Sequence, residues 1–291
     1  YSNQNHDDFR LLFKKAFRSA KTELFIQIYG LTDEDLINEI YLAHSRGVHI
    51  NLLYDPSASP SLNKYFPYAH PVKTRGLMHK KIVIVDKSTV FVGSANFTPT
   101  SLRMHDNLVA GIYSKALSSF LLYSLQASFT WDLTGAFQAT FYHLPDHKKG
   151  CLKATLQAIE SANKEIYLAL FTFTHPKIVQ ALLSAQQRGV KVSAAFDFSM
   201  ANGASQAVYE TLKKHGIYCI LGDKDRLLHY KWAMIDESTL LLGSANWTKS
   251  AFAKNDDCIL FFYNLPSEHS DYMLKLWKKL EKNFLLQNTT P

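Results

Sequence analysis

The sequence is poor in several things, and each shortage narrows the reading. Its three cysteines, Cys151, Cys219 and Cys258, are an odd number without CxxC spacing, which argues against a disulfide framework and against a cysteine zinc cluster. No apolar run reaches the roughly 18 residues that a spanning helix needs. The longest candidate, around Phe120 to Phe129, is interrupted by Ser, Gln and Tyr. Acid is in deficit: 25 Asp and Glu face 32 Lys and Arg, for a net charge of +7 before any of the 12 histidines is counted. That balance suits nucleic acid, an anionic lipid surface or a phosphate-bearing substrate and does not choose among them. An initiating methionine is also missing. The chain starts at Tyr1, as it would after removal of a signal peptide, an anchor or disordered residues, so a secreted and a membrane-tethered form are both open and the compartment is left unassigned.

What is present is a globular composition, 47% hydrophobic and 20% charged over 291 residues, enough for one large domain or two ordinary ones. The same unit occurs twice. "SAKTELFIQIYGLTDEDLINEIYLAHSRGVHINLLYD" from Ser19 aligns without a gap with "SANKEIYLALFTFTHPKIVQALLSAQQRGVKVSAAFD" from Ser161. Each copy gives a helix end, an apolar strand, an amphipathic helix, Arg-Gly-Val and a second strand. Gly47 and Gly189 fall just past the helices, where a left-handed cap is needed. Strands alternating with helices predict parallel βαβ units and an α/β fold. Downstream, "HKKIVIVDKSTVFVGSANFT" from His79 recurs as "HYKWAMIDESTLLLGSANWT" from His229. The alignment offset grows there from 142 to 150, so the second copy holds eight more residues before its motif. Two similar lobes, residues 1–145 and 146–291, related by pseudo-twofold symmetry, are the simplest architecture. Segments 115–150 and 264–291 read as mostly helical pieces closing each lobe, with the linker between Pro145 and Gly150.

In a strand, alternate residues point to opposite faces, so His79 and Lys81 share one surface, as do His229 and Lys231. A hairpin edge with solvated ends would explain one such motif. It would not explain a second that repeats the lysine two residues on, the aspartate seven on and the asparagine seventeen on, in halves that have otherwise drifted far apart.

His79-x-Lys81-x4-Asp86-x6-Gly93-Ser94-x-Asn96 and His229-x-Lys231-x4-Asp236-x6-Gly243-Ser244-x-Asn246 resemble the two HKD motifs of the phospholipase D superfamily. The resemblance includes the strand–helix–RGV–strand units and so extends over most of the chain. It implies two α/β lobes with mixed, largely parallel sheets flanked by helices. One active site would lie at the lobe interface, and a chain carrying both motifs would work as a monomer. It also implies cleavage or exchange of a phosphodiester, with His79 as nucleophile and His229 as general acid, although the symmetry of the two copies alone does not assign these roles.

The residue types suit that chemistry without a metal or other cofactor. Neutral imidazole is a good nucleophile near neutral pH, and its attack on phosphorus gives a phosphohistidine in place of one difficult hydrolysis. A second, protonated histidine can give the departing alkoxide its proton and recover one from water. Lys81, Lys231 and the side-chain amides of Asn96 and Asn246 can hold the nonbridging oxygens as charge builds. Asp86 and Asp236, at "DKST" and "DEST", read as turn residues that hold a strand end. A further carboxylate is wanted to orient each histidine. By resemblance these are Asp106 in "MHDNLV" and Asp256 in "NDDCIL", with Asp257 able to stand in for the latter. For Ser94 and Ser244, phosphate contact and satisfaction of local backbone groups weigh equally. Asp55 and Asp197 end equivalent strands and read first as turn residues. Trp232 and Trp247 read as core, and His44, His49, His70 and His175 as surface.

The substrate is left between two classes. A phospholipid at a membrane surface is favoured, because single chains with two HKD motifs are mostly lipid-directed in the superfamily. A nucleic acid is the alternative, since "GSANWTKSAFAKND" resembles the endonuclease branch and a positive groove can track a backbone. A phosphatidyltransferase is the third option, although such enzymes usually carry N-terminal membrane helices, and this sequence has none. The loops 56–78 and 198–228 are where the difference should lie.

Overall fold

A computed structural model describes residues 1–60, 62–135 and 137–289, with side chains to 286. After a 3-10 turn at Asn3–Asn5, the first half runs α1 (Phe9–Ser19), β1 (Glu23–Ile28), α2 (Glu34–Ser45), β2 (His49–Tyr54), α3 (Leu62–Tyr65), β3 (Ala69–Pro71), β4 (Lys81–Val85), β5 (Thr89–Gly93), α4 (Pro99–Arg103), β6 (Val109–Tyr113) and α5 (Lys115–Tyr123). A hairpin follows, β7 (Ser128–Thr134) and β8 (Phe137–Leu144). The second half repeats the pattern as α6 (Gly150–Glu160), β9 (Glu165–Leu170), α7 (Pro176–Gln187), β10 (Lys191–Phe196), α8 (Phe198–Ala201), α9 (Gln206–Lys214), β11 (Tyr218–Leu221), β12 (Lys231–Ile235), β13 (Thr239–Gly243), α10 (Lys249–Ala253), β14 (Asp257–Tyr263) and α11 (Ser267–Thr289).

Local chemistry starts and stops these elements. The side chains of Asp8 and Asp33 accept from the backbone N–H of Leu11 and Leu36, capping α1 and α2. Gly47 and Gly189 adopt φ of +87° and +93° just past α2 and α7, the left-handed conformation that their positions predict. α1 turns Phe9, Phe13, Ala16 and Phe17 inward.

The strands form two mixed sheets, β3-β2-β1-β4-β5-β6 and β11-β10-β9-β12-β13-β14-β8-β7. Among the described strands, parallel ladders are confined to β1–β2–β3 and β9–β10–β11, the products of the repeated strand–helix–strand units. The motif strands add to them antiparallel, β4 on β1 and β12 on β9. The sheets are therefore less parallel than the βαβ pattern alone predicts, because each HKD motif is a hairpin and a hairpin pairs antiparallel.

The expectation of a mostly helical 115–150 holds only for α5 and the start of α6. Residues 128–144 form a hairpin whose second strand pairs with β14, so a segment that follows the first lobe extends the second lobe's sheet. The two sheets face each other across a shared core, with Phe25, Ile84, Val92 and Ile112 on one side and Trp232, Met234, Leu242 and Leu260 on the other. Trp232 and Trp247 are both buried. Two outer cores bury the helices: α1 and α2 on the first sheet, α6 and α7 on the second. The result is four layers, helices outside and sheets within.

Candidate active site

Each histidine sits just ahead of its strand, and the opposite lobe holds it there. The backbone N–H of His79 donates to the carbonyl of Asp256 at 2.7 Å, and that of His229 to the carbonyl of Asp106 at 2.9 Å. The carboxylate of Asp55 accepts from Met78 N–H, and that of Asp197 from Leu228 N–H, bracing the residue before each histidine. Lys81 and Lys231 donate to the carbonyls of His79 and His229, the second at 2.8 Å.

The ring partners also cross between lobes. His79 Nδ1 lies 2.8 Å from Asp257 Oδ1, and His229 Nδ1 lies 2.9 Å from Asn107 Oδ1. Asp106 and Asp256, expected to orient the rings, are each one residue off. Strand alternation sends their side chains the other way, into latches between lobes. Asp106 takes Arg226 at 2.5 Å and the Gln4 amide at 2.8 Å. Asp256 takes Lys80 at 2.6 Å and the Gln27 amide at 2.9 Å. Their backbone carbonyls still position the histidines.

Ser94 and Ser244 resolve to structural partners of the ring-holding residues. Ser94 Oγ donates to Asn107 Oδ1 and accepts from Leu108 N–H; Ser244 Oγ donates to Asp257 Oδ1 and accepts from Cys258 N–H. The preceding glycines make this contact possible, since a Cβ at Gly93 would fall 2.2 Å from the Leu108 carbonyl and one at Gly243 2.3 Å from that of Cys258. Asp86 and Asp236 lie at the far ends of the motif strands. Asp86 accepts the backbone N–H groups of Lys21, Thr22 and Glu23, and Asp236 those of Asn163, Lys164 and Glu165, which holds both carboxyls below their ordinary range despite partial burial. Asn96 lies beside Gly30, and the side-chain oxygens of both Asn96 and Asn246 are buried without a hydrogen-bond partner among the described residues. His175, expected at the surface, is buried against Phe252 at the start of α7.

Two contributors escaped the sequence reading. The Tyr29 ring lies 5.1 Å from Lys81 Nζ and 5.2 Å from the His79 ring; the Phe171 ring lies 5.1 Å from Lys231 Nζ and 5.0 Å from the His229 ring. Both occupy the same place in the repeat, just past β1 and β9. That equivalence, an aromatic kept in both copies, was the available signal. Aromatic faces stabilise the ammonium groups without neutralising them.

The groups that shift each imidazole come from both lobes. Burial lowers the His79 imidazole, then Lys81; Asp257 pulls in the opposite direction, and Lys231 of the other lobe pushes it lower. Burial also holds His229 well below its ordinary value, followed by Lys231, Lys81, His79 and His105. Lys81 falls to about 7 through burial, and Lys231 falls well below its ordinary value through burial and then the nearby Lys81. The charged groups of the two motifs thus act on one another across the lobes. They occupy a buried, cation-rich place with room for an anion's charge. Among the described residues no group of three His, Cys, Asp or Glu side chains is placed to hold a metal ion.

A doubled α/β sandwich with two crossed His–Lys motifs at the seam defines a class. The family model described as cardiolipin synthase, PLD-like domain, matches residues 13–131 and again 155–284, and the chain belongs to this phospholipase D-like family. Among curated relatives, the human mitochondrial cardiolipin hydrolase is 28% identical over 171 residues, covering 56% of this chain and 65% of that protein. The phospholipase D of Rickettsia prowazekii (strain Madrid E) is 27% identical over 175 residues, covering 56% of this chain and 83% of its own. Against the first matched relatives, the mammalian cardiolipin hydrolases, the chain spans between half and two thirds of their length. Among solved structures, the phosphatidylserine synthase of Haemophilus influenzae Rd KW20 superposes over 93% of this chain and 83% of its own with a TM-score of 0.76 at 13% identity, a likeness of fold.

Proposed function

We propose that this chain is a phosphodiesterase of the phospholipase D type. It hydrolyses a phospholipid head-group phosphodiester through a phosphohistidine, and one copy of the chain supplies the whole site. The crossed pair of histidines, each held by the other lobe between a lysine and a buried ring partner, carries this reading. His79 Nε2 attacks phosphorus; the P–N bond forms as the P–O bond to the leaving alcohol breaks, and His229 gives its Nε2 proton to that oxygen. Water then attacks phosphorus, His229 takes a proton from it, and the P–N bond breaks to return His79. The net change is phosphodiester and water to phosphomonoester and alcohol. Lys81, Lys231, Asn96 and Asn246 hold the nonbridging oxygens, and substrate charge restores the ammonium form of both lysines. Asp257 and Asn107 keep Nδ1 of each ring occupied, so that Nε2 faces the phosphorus.

A lipid substrate is supported by the names of the relatives, a cardiolipin hydrolase and a phospholipase D. No helix among the described residues is long and apolar enough to cross a membrane, so a lipid would be met at its surface. The deciding experiment sets vesicles of anionic and zwitterionic phospholipid beside single- and double-stranded DNA and RNA. Phosphatidic acid and free head group from the vesicles support the proposal. Cleaved nucleic acid with untouched vesicles would replace it with the endonuclease reading on the same catalytic residues.

A further inference from the structure

The two ring partners occupy equivalent places in the repeat, yet one is a carboxylate and the other an amide. Asn107 is fully buried and its orientation is determined. Its Nδ2 donates to the Ser101 carbonyl at 2.9 Å, with Ser101 Oγ at 3.3 Å and the His105 carbonyl at 3.5 Å. Its Oδ1 accepts from Ser94 Oγ at 2.8 Å. With the nitrogen committed to carbonyl groups, the oxygen faces His229. An amide oxygen can only accept, so His229 Nδ1 must carry the hydrogen, and Nε2 of the neutral ring keeps its lone pair.

Asp257 enforces the same tautomer on His79 and adds a full negative charge. No carboxylate hydrogen-bonds the His229 ring among the described residues, and Asp197 and Asp106 are engaged elsewhere. Asp197 takes backbone N–H from Leu228 and Met200, and Asp106 is committed to Arg226 and Gln4. What faces His229 is cationic or aromatic: Lys231 on its own lobe, Lys81 and His79 from the other, the His105 ring at 6.0 Å and the Phe171 ring at 5.0 Å.

Resting on the reaction proposed above, we infer that Asn107 is a positioning residue that locks His229 into the Nδ1–H tautomer while denying it a counter-charge. The His79–Asp257 side thereby carries the covalent intermediate, and His229 handles only protons. A phosphorylated imidazole is a persistent cation, and only His79 has a carboxylate against it. His229 is cationic only in the moment before it protonates the leaving group. Neutral at rest, it is already in the form that takes a proton from water in the second step. Adduct formation is then the step that weakens as pH rises through the lowered value of His229, on the acid side of neutrality, and adduct breakdown does not.

Asn107→Asp in the full chain supplies the missing charge with little change of shape. The alkaline limb of adduct formation should move up by one pH unit or more, giving about tenfold faster formation at a pH above the wild-type limb. Hydrolysis of the adduct should hold steady or slow. An unchanged pH profile in a variant that melts like wild type would overturn the inference and leave Asn107 a packing residue. The new carboxylate also faces the Ser101 carbonyl, a repulsion that bears on folding as well as on the ring, so a second measurement uses the unmodified protein. Imidazole ¹⁵N resonances should show His229 as the Nδ1–H tautomer, neutral to lower pH than His79. The opposite tautomer, or His229 protonating first, would overturn the inference. The resonance experiment needs no substrate, so it still decides the role of Asn107 if no phosphodiester is turned over and the proposed reaction itself fails.

Discussion

The two halves share their scaffolding and differ in their chemistry. Asp55 and Asp197, Asp86 and Asp236, Ser94 and Ser244, and the glycines ahead of those serines do the same work in each copy, mostly by accepting or approaching backbone groups. Three of the positions that diverge lie at the contacts between lobes or beside them. Asp257 answers Asn107, buried Lys80 answers buried Tyr230, and Gly76 stands where the other half has Arg226. Amid wide divergence of the two copies, these positions keep the scaffold alike and set one histidine's surroundings apart from the other's. A symmetric reaction would not need that; a reaction with one nucleophile and one proton carrier does.

The severest test removes either ring. His79→Ala and His229→Ala should each lower turnover by at least about 10³-fold, because one site needs both. Retention of about half the wild-type rate by each would mean two independent sites. With a substrate whose leaving group needs no proton, His229→Ala should still form an adduct on His79 and then stall, and intact-mass analysis would reveal it. An adduct on His229 in the His79→Ala protein would exchange the two roles.

Making the halves alike sharpens the comparison. Asp257→Asn should slow adduct formation by about 10²-fold, since the cation forming on His79 loses its counter-charge. Single-turnover kinetics would show this, and an effect no larger than that of Asn107→Ala would erase the distinction. Tyr29→Ala and Phe171→Ala should cost roughly three- to thirtyfold in kcat/KM, the range of a partly desolvated cation–π contact. Little change in either would leave the rings as simple walls.

Asp86→Ala and Asp236→Ala test the shared scaffold. Each should lower stability by about 1–2 kcal/mol through lost backbone hydrogen bonds at a partly exposed site, with kcat unchanged while the protein is folded. Both carboxyls are depressed in the folded chain, so this contribution is present above the unfolded carboxylate value near 4 and disappears as pH falls through the lower folded value. Urea melts of wild type and variants at pH 7 and at pH 3 should therefore converge in acid. The smallest effect is expected from EDTA, which should leave turnover unchanged. Loss of activity restored by one divalent metal would contradict the roles given to the imidazoles and ammonium groups.

Much of this was legible in the residues. Two identical spacings located both histidines, both lysines and the turn aspartates, and the repeated strand–helix–strand units predicted a doubled α/β fold. Of the ring partners, Asp257 was read only as a stand-in for Asp256, and Asn107 was missed by one position. "HDN" and "NDD" each offer an acid at the same alignment offset, and a search for two carboxylates selects Asp106 and Asp256. Which of two neighbours points inward depends on strand phase, and phase is undefined where a strand begins: β14 starts at Asp257, and β6 starts two residues past Asn107. The hairpin at 128–144 had a usable signal in its aromatic and β-branched residues around Gly135. What the sequence could not supply was its partner, because β8 pairs with β14, more than a hundred residues away.

That reciprocity has a consequence for biosynthesis. The nucleophilic ring leaves the ribosome 178 residues ahead of the carboxylate that steadies it, and the proton-carrying ring follows its own partner by 122. A polypeptide made only as far as the first lobe thus holds a histidine without its carboxylate and without the second imidazole of the proposed reaction. The contact between His79 and its carboxylate therefore closes only once β14, the last strand of the second sheet, has been made and folded against the first lobe.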